Sequence, residues 1–270
     1  TNYRKMQGEE IKSKTLKLED YNAKLSGQKT EKEKLIAEQE KQRLDLEKEK
    51  VDQEKIANSL KKSKNQIAAE IKKKQQESKK IDAQVKKLIR DAIAEANRKA
   101  AAERAKANPK TTTAAETKKI ENSVNIVLTP EGKIISDNFK ANKGRLPWPV
   151  EKGVITLGYG DQPHPVYKSL VIHNSGIEIT TENGANARAV FAGEVTKIIV
   201  ISPLVKGVMI QHGDYFTVYQ NLSSVSVSVG DKVTTKQSLG KIRTNAEGKT
   251  VLKFVVSQNT TYNNPSTWLN

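Results

Sequence analysis

The sequence has no cysteine, which excludes disulfides and thiolate metal sites and fits any redox compartment. It has no proline before Pro109, and only Gly8 and Gly27 stand in that stretch, so the first hundred residues lack the two strongest breakers of regular structure. Aromatic residues make up 5%, and few lie among the lysines, which argues against a base-stacking nucleic-acid surface. Histidine occurs three times, at 164, 173 and 212. No apolar run approaches the ~18 residues that span a bilayer. The chain opens at Thr1 without a signal peptide, so it reads as a processed or trimmed form whose export signal is not in it.

What is present divides the chain in two. A Lys/Glu/Gln-rich half without proline is followed by a half punctuated by glycine and proline, so two architectures are expected. The second part is long enough to bury its own core. The net charge is +16. Residues 1–110 carry 30 Lys/Arg against 19 Asp/Glu, and the remainder 17 against 12. Such a balance draws a chain towards nucleic acid or anionic membrane, but interleaved charges on the solvated face of a long helix explain it more simply.

The first half has a coiled-coil seam. Ile11, Leu18 and Leu25 are seven apart, and Leu60, Ile67, Ile81 and Leu88 continue the spacing with Lys74 as a break. Ile71, Val85 and Ala92 follow Ile67, Ile81 and Leu88 by four, completing a stripe of the a/d kind, while Leu35, Leu44 and Val51 carry an apolar line through a register slip. A helix from about Lys5 to Lys106 would be ~150 Å long. Its seam needs a partner: a second copy, an upstream segment, or its own other half folded back at Ser26-Gly27 or Asn58-Ser59. One nearly continuous helix is the favoured reading. Asn108-Pro109-Lys110-Thr111-Thr112-Thr113 then reads as helix stop and linker. Thr129-Pro130-Glu131 has the form of N-cap, first-turn proline and first-turn acid, and Ile134, Ile135 and Phe139 make one face of a short helix. That helix is either a strut or a cover for a groove. The domains are thus 1–107, a coiled-coil helix; 108–145, a linker with a short helix; and 146–270, a β domain.

In the third region short strands alternate with turns. They are Val154–Leu157, Gly176–Thr180, Ala187–Phe191, Glu194–Ile201, Gly207–His212, Tyr215–Gln220, Lys232–Thr234, Leu239–Arg243 and Val251–Ser257. Turn residues such as Glu182-Asn183-Gly184 and His212-Gly213-Asp214 separate them. An all-β sandwich or barrel-like sheet is expected.

Ordered motifs run through this region. Ala189-Val190-Phe191-Ala192-Gly193-Glu194-Val195, Val225 to Val233 with Gln237-Ser238-Leu239-Gly240, Tyr219-Gln220-Asn221-Leu222-Ser223, and Asn264-Pro265 with Trp268-Leu269 together resemble zinc peptidase domains of the LytM, or lysostaphin-like, kind. Active members hold zinc with a His and an Asp spaced H-x-x-x-D and a His from a late H-x-H strand, with a further His in Y-x-H-L-S; the metal acidifies a bound water and polarises the peptide carbonyl. Here Asn174-Ser175-Gly176-Ile177-Glu178 stands at the first motif, Val251-Leu252-Lys253-Phe254 at the second and Asn221 at the third. Valine cannot ligate, and a lysine ammonium repels a dication. The resemblance therefore implies a fold kept for binding, without zinc or other cofactor and without catalytic residues. The remaining histidines leave a rearranged His164/His173/Glu178 site as a minor alternative.

A coiled coil joined to a degenerate LytM domain, entered through Trp148-Pro149-Val150, is similar to murein hydrolase activators of the EnvC type. That resemblance implies an exported protein of the periplasm, at the outer face of the inner membrane. It activates an N-acetylmuramoyl-L-alanine amidase in cell division, binds an FtsEX-type ABC transporter through the coil, and has peptidoglycan as a further candidate partner. Strand parity places Val251, Lys253, Val255 and Ser257 on one face. The expected amidase groove is Asn174, Ser175, Glu178, Lys206, Met209, Asn221, Val251, Lys253 and Ser257, with Ile134, Ile135 and Phe139 as an autoinhibitory segment. The rival readings are a zinc endopeptidase and a non-catalytic wall-binding stalk.

Overall fold

The computed structural model describes residues 2–107, 113–164 and 167–270. The expected stop at Asn108–Thr112 lies outside these residues. Helix α1 is Asn2–Ala107, uninterrupted at Ser26-Gly27 and Asn58-Ser59, so neither hairpin point is used. The chain forms two compact units, 1–67 and 68–270. The first contains helix alone, and Leu18, Leu25, Leu44 and Leu60 are each more than half exposed in it. Among the described residues no helix is long and apolar enough to cross a membrane.

Among the described residues the second unit holds residues 68–107 of α1, α2 (Ala114–Glu121), α3 (Pro130–Ala141) and twelve strands. They are β1 (Val154–Leu157), β2 (Gly160–Pro163), β3 (Val171–Asn174), β4 (Ile177–Thr181), β5 (Asn186–Arg188), β6 (Gly193–Ser202), β7 (Val205–His212), β8 (Tyr215–Leu222), β9 (Lys232–Val233), β10 (Ser238–Lys241), β11 (Thr250–Gln258) and β12 (Thr261–Asn263). The main sheet has the order β1-β4-β11-β8-β7-β6-β9, with β12 on β11, and all its pairs are antiparallel. The C-terminal part is a mostly-β sheet domain.

The period of two divides the sheet into two faces. Ile177, Ile179, Tyr219, Leu252, Phe254 and Val256 enter a core closed by Leu146, Leu239, Phe139 and Trp268. On the other face Ile199, Met209, Phe216, Val218 and Val255 form a second core with Val85, Ile89, Ala92 and Ile93 of α1. Residues 85–101 of α1 therefore belong to the β domain's unit. The boundaries expected at 107 and 145 do not separate what packs together, because the α1 seam here meets a sheet. Asn97, fully buried, fixes this docking: its amide donates to the Ser123 and Asn125 carbonyls (both 3.0 Å) and accepts from the Val127 N–H (2.8 Å).

Helix α2 was not expected. Thr113-Ala114-Ala115-Glu116 forms a full capping box, a signal present in the sequence. Helix α3 starts as expected, with the Thr129 hydroxyl accepting from the Gly132 N–H. Its role differs from a groove cover. Phe139 is fully buried, stacked on His212 at 4.7 Å between ring centroids and beside Tyr215 and Trp268, while Ile134 and Ile135 face solvent. The helix is a strut of the first core. Its anchor is the hairpin turn at Gly213, where φ is +70° and an added Cβ would strike the Gly132 carbonyl and Ser136. Gly213→Ala should cost about 2–3 kcal/mol, from left-handed strain plus that clash, and lower Tm by roughly 5–10 °C; differential scanning calorimetry tests this, and an unchanged Tm would remove the anchor role.

Candidate functional site

The residues that sequence reasoning gathers around a former metal centre lie mostly on the α1 side of the sheet. Lys253 of β11 stands opposite Glu178 of β4 and Gln220 of β8 in register. Val255, opposite Val218, and Ser257, opposite Phe216, continue the face and are buried. Val251, opposite Thr180, is half-buried at its end. Met209 is fully buried beneath α1.

Two expected residues are used differently. Asn174 is buried, and its amide donates to the Gly158 carbonyl (3.0 Å) and accepts weakly from the Gly176 N–H, so it holds the β3–β4 turn. Asn221 adopts the left-handed conformation (φ 70°) and donates to the Val251 carbonyl at 2.5 Å, tying β8 to β11 where their pairing ends. Lys206, the second residue of β7, stands opposite Leu222.

The late part of α1 covers this face. Ser175 donates to Asp82 Oδ1 at 2.7 Å. Lys253 Nζ lies 3.6 Å from the same oxygen and 3.2 Å from the Ser78 hydroxyl. Both members of the Asp82–Lys253 pair are about 15% exposed, so water screens them little. Further along, the Tyr262 hydroxyl donates to the Asp82 carbonyl, and burial pushes that phenol's pKa up. The Gln75 amide donates to the Val171 carbonyl (2.8 Å), and Lys197 pairs with Glu95 at 3.3 Å. Ser78, Asp82 and Ile89 were missed as site residues, and Val85 was read only as part of a seam for another helix.

Glu178 shows the character of the covered face. Burial raises its carboxyl pKa above the usual range, and Lys253 and Lys74 only partly oppose this. Beneath the helix the Gln220 Nε2 and Ser257 Oγ atoms have, among the described residues, no hydrogen-bond partner. Such buried groups cost about 1–3 kcal/mol each, and the first core carries one as well, at Trp268 Nε1.

A zinc ion does not suit this donor set. The groups on this face are two carboxylates, Glu178 and Asp82, with amide, hydroxyl and alkyl groups and the Lys253 ammonium, which stands across the strand pair from Glu178 and pairs with Asp82. Among the described residues no group of three or more His, Cys, Asp or Glu is placed to hold a metal. His173 pairs with Asp161 (2.6 Å) on the exposed β2–β3 hairpin, His164 accepts from the Tyr167 N–H (3.1 Å), and His212 lies in the first core.

Residues 172–265 match the family model described as Peptidase family M23. This stretch is an M23, LytM-like domain. No curated protein matches the chain. Among solved structures, the M23 part is similar to a chain of the SpoIIQ–SpoIIIAH pore-forming complex, with 23% identity over 47% of this chain and 92% of that one and a TM-score of 0.40. It is also similar to Csd3 of Helicobacter pylori (23% identity, 47% of this chain, 35% of that one, TM-score 0.40). A zinc-containing peptidase from Vibrio cholerae gives 23% identity over 46% of this chain and 40% of that one, with a TM-score of 0.39. The chain thus spans less than half the length of the Helicobacter and Vibrio proteins.

Proposed function

We propose that this M23 domain is non-catalytic and activates a peptidoglycan N-acetylmuramoyl-L-alanine amidase in cell division, binding the amidase through the face between β4, β11 and β8. One observation carries the reading. The face that the LytM resemblance assigns to zinc carries Glu178, Val251 and Lys253, and it seats a helix through an apolar seam and one buried ion pair. A surface that accepts α1 has the shape and chemistry for a partner helix of the same apolar and acidic pattern.

In this proposal the late part of α1 is the cover, in place of α3, and the amidase helix replaces it. The exposed apolar seam of residues 2–67 is the candidate contact with an FtsEX-type transporter, in the periplasm at the outer face of the inner membrane. Peptidoglycan is a further candidate partner.

The test is muropeptide release from purified sacculi by this protein, a cognate amidase, and both, with a zinc determination alongside. Stimulation confined to the mixture is the expected result. In a chain already uncovered by V85D/I89D, where the Asp82–Lys253 pair no longer holds the cover, Lys253→Glu should reduce it at least about tenfold by setting a carboxylate against the acidic partner helix. Release by this protein alone with stoichiometric zinc would replace the proposal with a zinc endopeptidase. Sedimentation with sacculi but no effect on the amidase would leave a wall-binding stalk.

A further inference from the structure

Residues 72–90 of α1 hold eight Lys/Arg against two carboxylates, Glu77 and Asp82. Asp82 is turned to the sheet and paired with Lys253. The lysines follow a strict repeat: Lys72-Lys73, Lys79-Lys80 and Lys86-Lys87 are each seven residues apart. Positions seven apart lie on the same side of a helix and drift only about 20° per step. The repeat therefore makes two parallel lysine rows, Lys72/Lys79/Lys86 and Lys73/Lys80/Lys87, over ~22 Å of helix. All six are exposed. Lys86 lies over the Tyr262 ring at 5.0 Å; among the described residues the other five have no ion-pair partner.

The orientation of these rows is fixed. Val85, Ile89, Ala92 and Ile93 are buried in the sheet interface and Asn97 is hydrogen-bonded beyond them, so the helix cannot roll: the Lys73/Lys80/Lys87 row faces away from the β domain and the Lys72/Lys79/Lys86 row flanks the interface, Lys86 reaching the Tyr262 ring. A lone charged helix would spread its lysines over many orientations; this one presents them together.

We propose that this lysine ladder is a docking face for an anionic phospholipid surface. The ridge is convex, which suits a plane of headgroups; a flexible polyanion would be held better by a groove. Gln76 and Ala83 lie between the rows and carry no apolar bulk to insert, so the contact is electrostatic and peripheral. The ladder is on the back of the helix segment whose front covers the β4–β11–β8 face. Lipid binding therefore needs none of the groove residues and does not depend on the amidase reading.

The test is co-sedimentation of the full chain with vesicles of equal parts phosphatidylglycerol and phosphatidylcholine, against pure phosphatidylcholine, at low salt. Binding to the anionic vesicles alone is expected, falling steeply as salt is raised. Each lysine near such a surface contributes about fivefold, so K73Q/K80Q/K87Q should weaken partition by about 100-fold. The single substitution K80E, removing two charge units, should weaken it by about 25-fold. K12Q/K14Q/K17Q, which removes the same charge from the first unit, should change it far less. Equal losses in the two triple variants would overturn the ladder and leave only net charge. Failure to bind anionic vesicles, with ladder-dependent binding to soluble polyphosphate, would overturn the membrane assignment in favour of an anionic chain.

Discussion

Replacing Val85 and Ile89 together by aspartate is expected to release the late part of α1 from the sheet and to raise amidase stimulation at least about tenfold. Both side chains are fully buried against Met209, Phe216, Val218 and Val255. Each contributes roughly 1.5–3 kcal/mol by leaving water, and a buried carboxylate in its place adds a desolvation cost. The double change thus removes more than about 5 kcal/mol from the covered state. The first core shares none of these residues, so the β domain should keep its fold. Amide exchange should rise across residues 78–97 and stay slow in β8 and β11, which separates uncovering from unfolding. Stimulation that does not change while exchange rises would mean that the covered face is not where the amidase binds. Slow exchange throughout would mean that polar links such as Asp82–Lys253 and Asn97 hold the helix unaided.

The order of the strands' residues was legible because alternation and glycine turns are local signals. β1, β7, β8 and β11 fall within a residue or two of the expected spans. β2, β3 and β12 were missed: Gly160–Pro163 contains a glycine and a proline and no apolar alternation, and the other two are three or four residues long. The face shared by Lys253, Val255 and Ser257 followed from parity alone. What covers it did not. Asp82 meets Ser175 and Lys253 across 93 and 171 positions of sequence, and no local pattern specifies such a pairing. The seam Ile81, Val85 and Leu88 satisfies a heptad rule equally well whether its partner is a helix or a sheet. Phe139 misled for the same reason: an apolar helix face states that it will be buried, but not by which surface.

His212 should make the domain acid-sensitive by about 3 kcal/mol. The ring is fully buried and stacked on Phe139. Its Nδ1–H donates to the Ala192 carbonyl at 2.7 Å, so Nε2 is the acceptor for the Thr217 hydroxyl at 2.9 Å, a tautomer assigned from these partners. A second proton would have to sit on Nε2, facing a hydroxyl that already donates there. Burial lowers the pKa from 6.5 to about 4, although the Ala192 hydrogen bond opposes the shift. The folded pKa is therefore depressed below the unfolded one. The contribution is complete above about pH 6.5, where both states are neutral, and falls as the unfolded chain takes up its proton. It is gone below about pH 4, where the folded ring is also charged. Urea unfolding at a series of pH values between 7 and 4 should show this slope, and His212→Gln should flatten it while costing some stability at pH 7. An unchanged slope in that variant would assign the acid sensitivity to other groups. Because His212 links Phe139 of α3 to the β7–β8 hairpin, its loss at low pH should appear first as loosening of the α3 strut, ahead of the α1 interface on the opposite face.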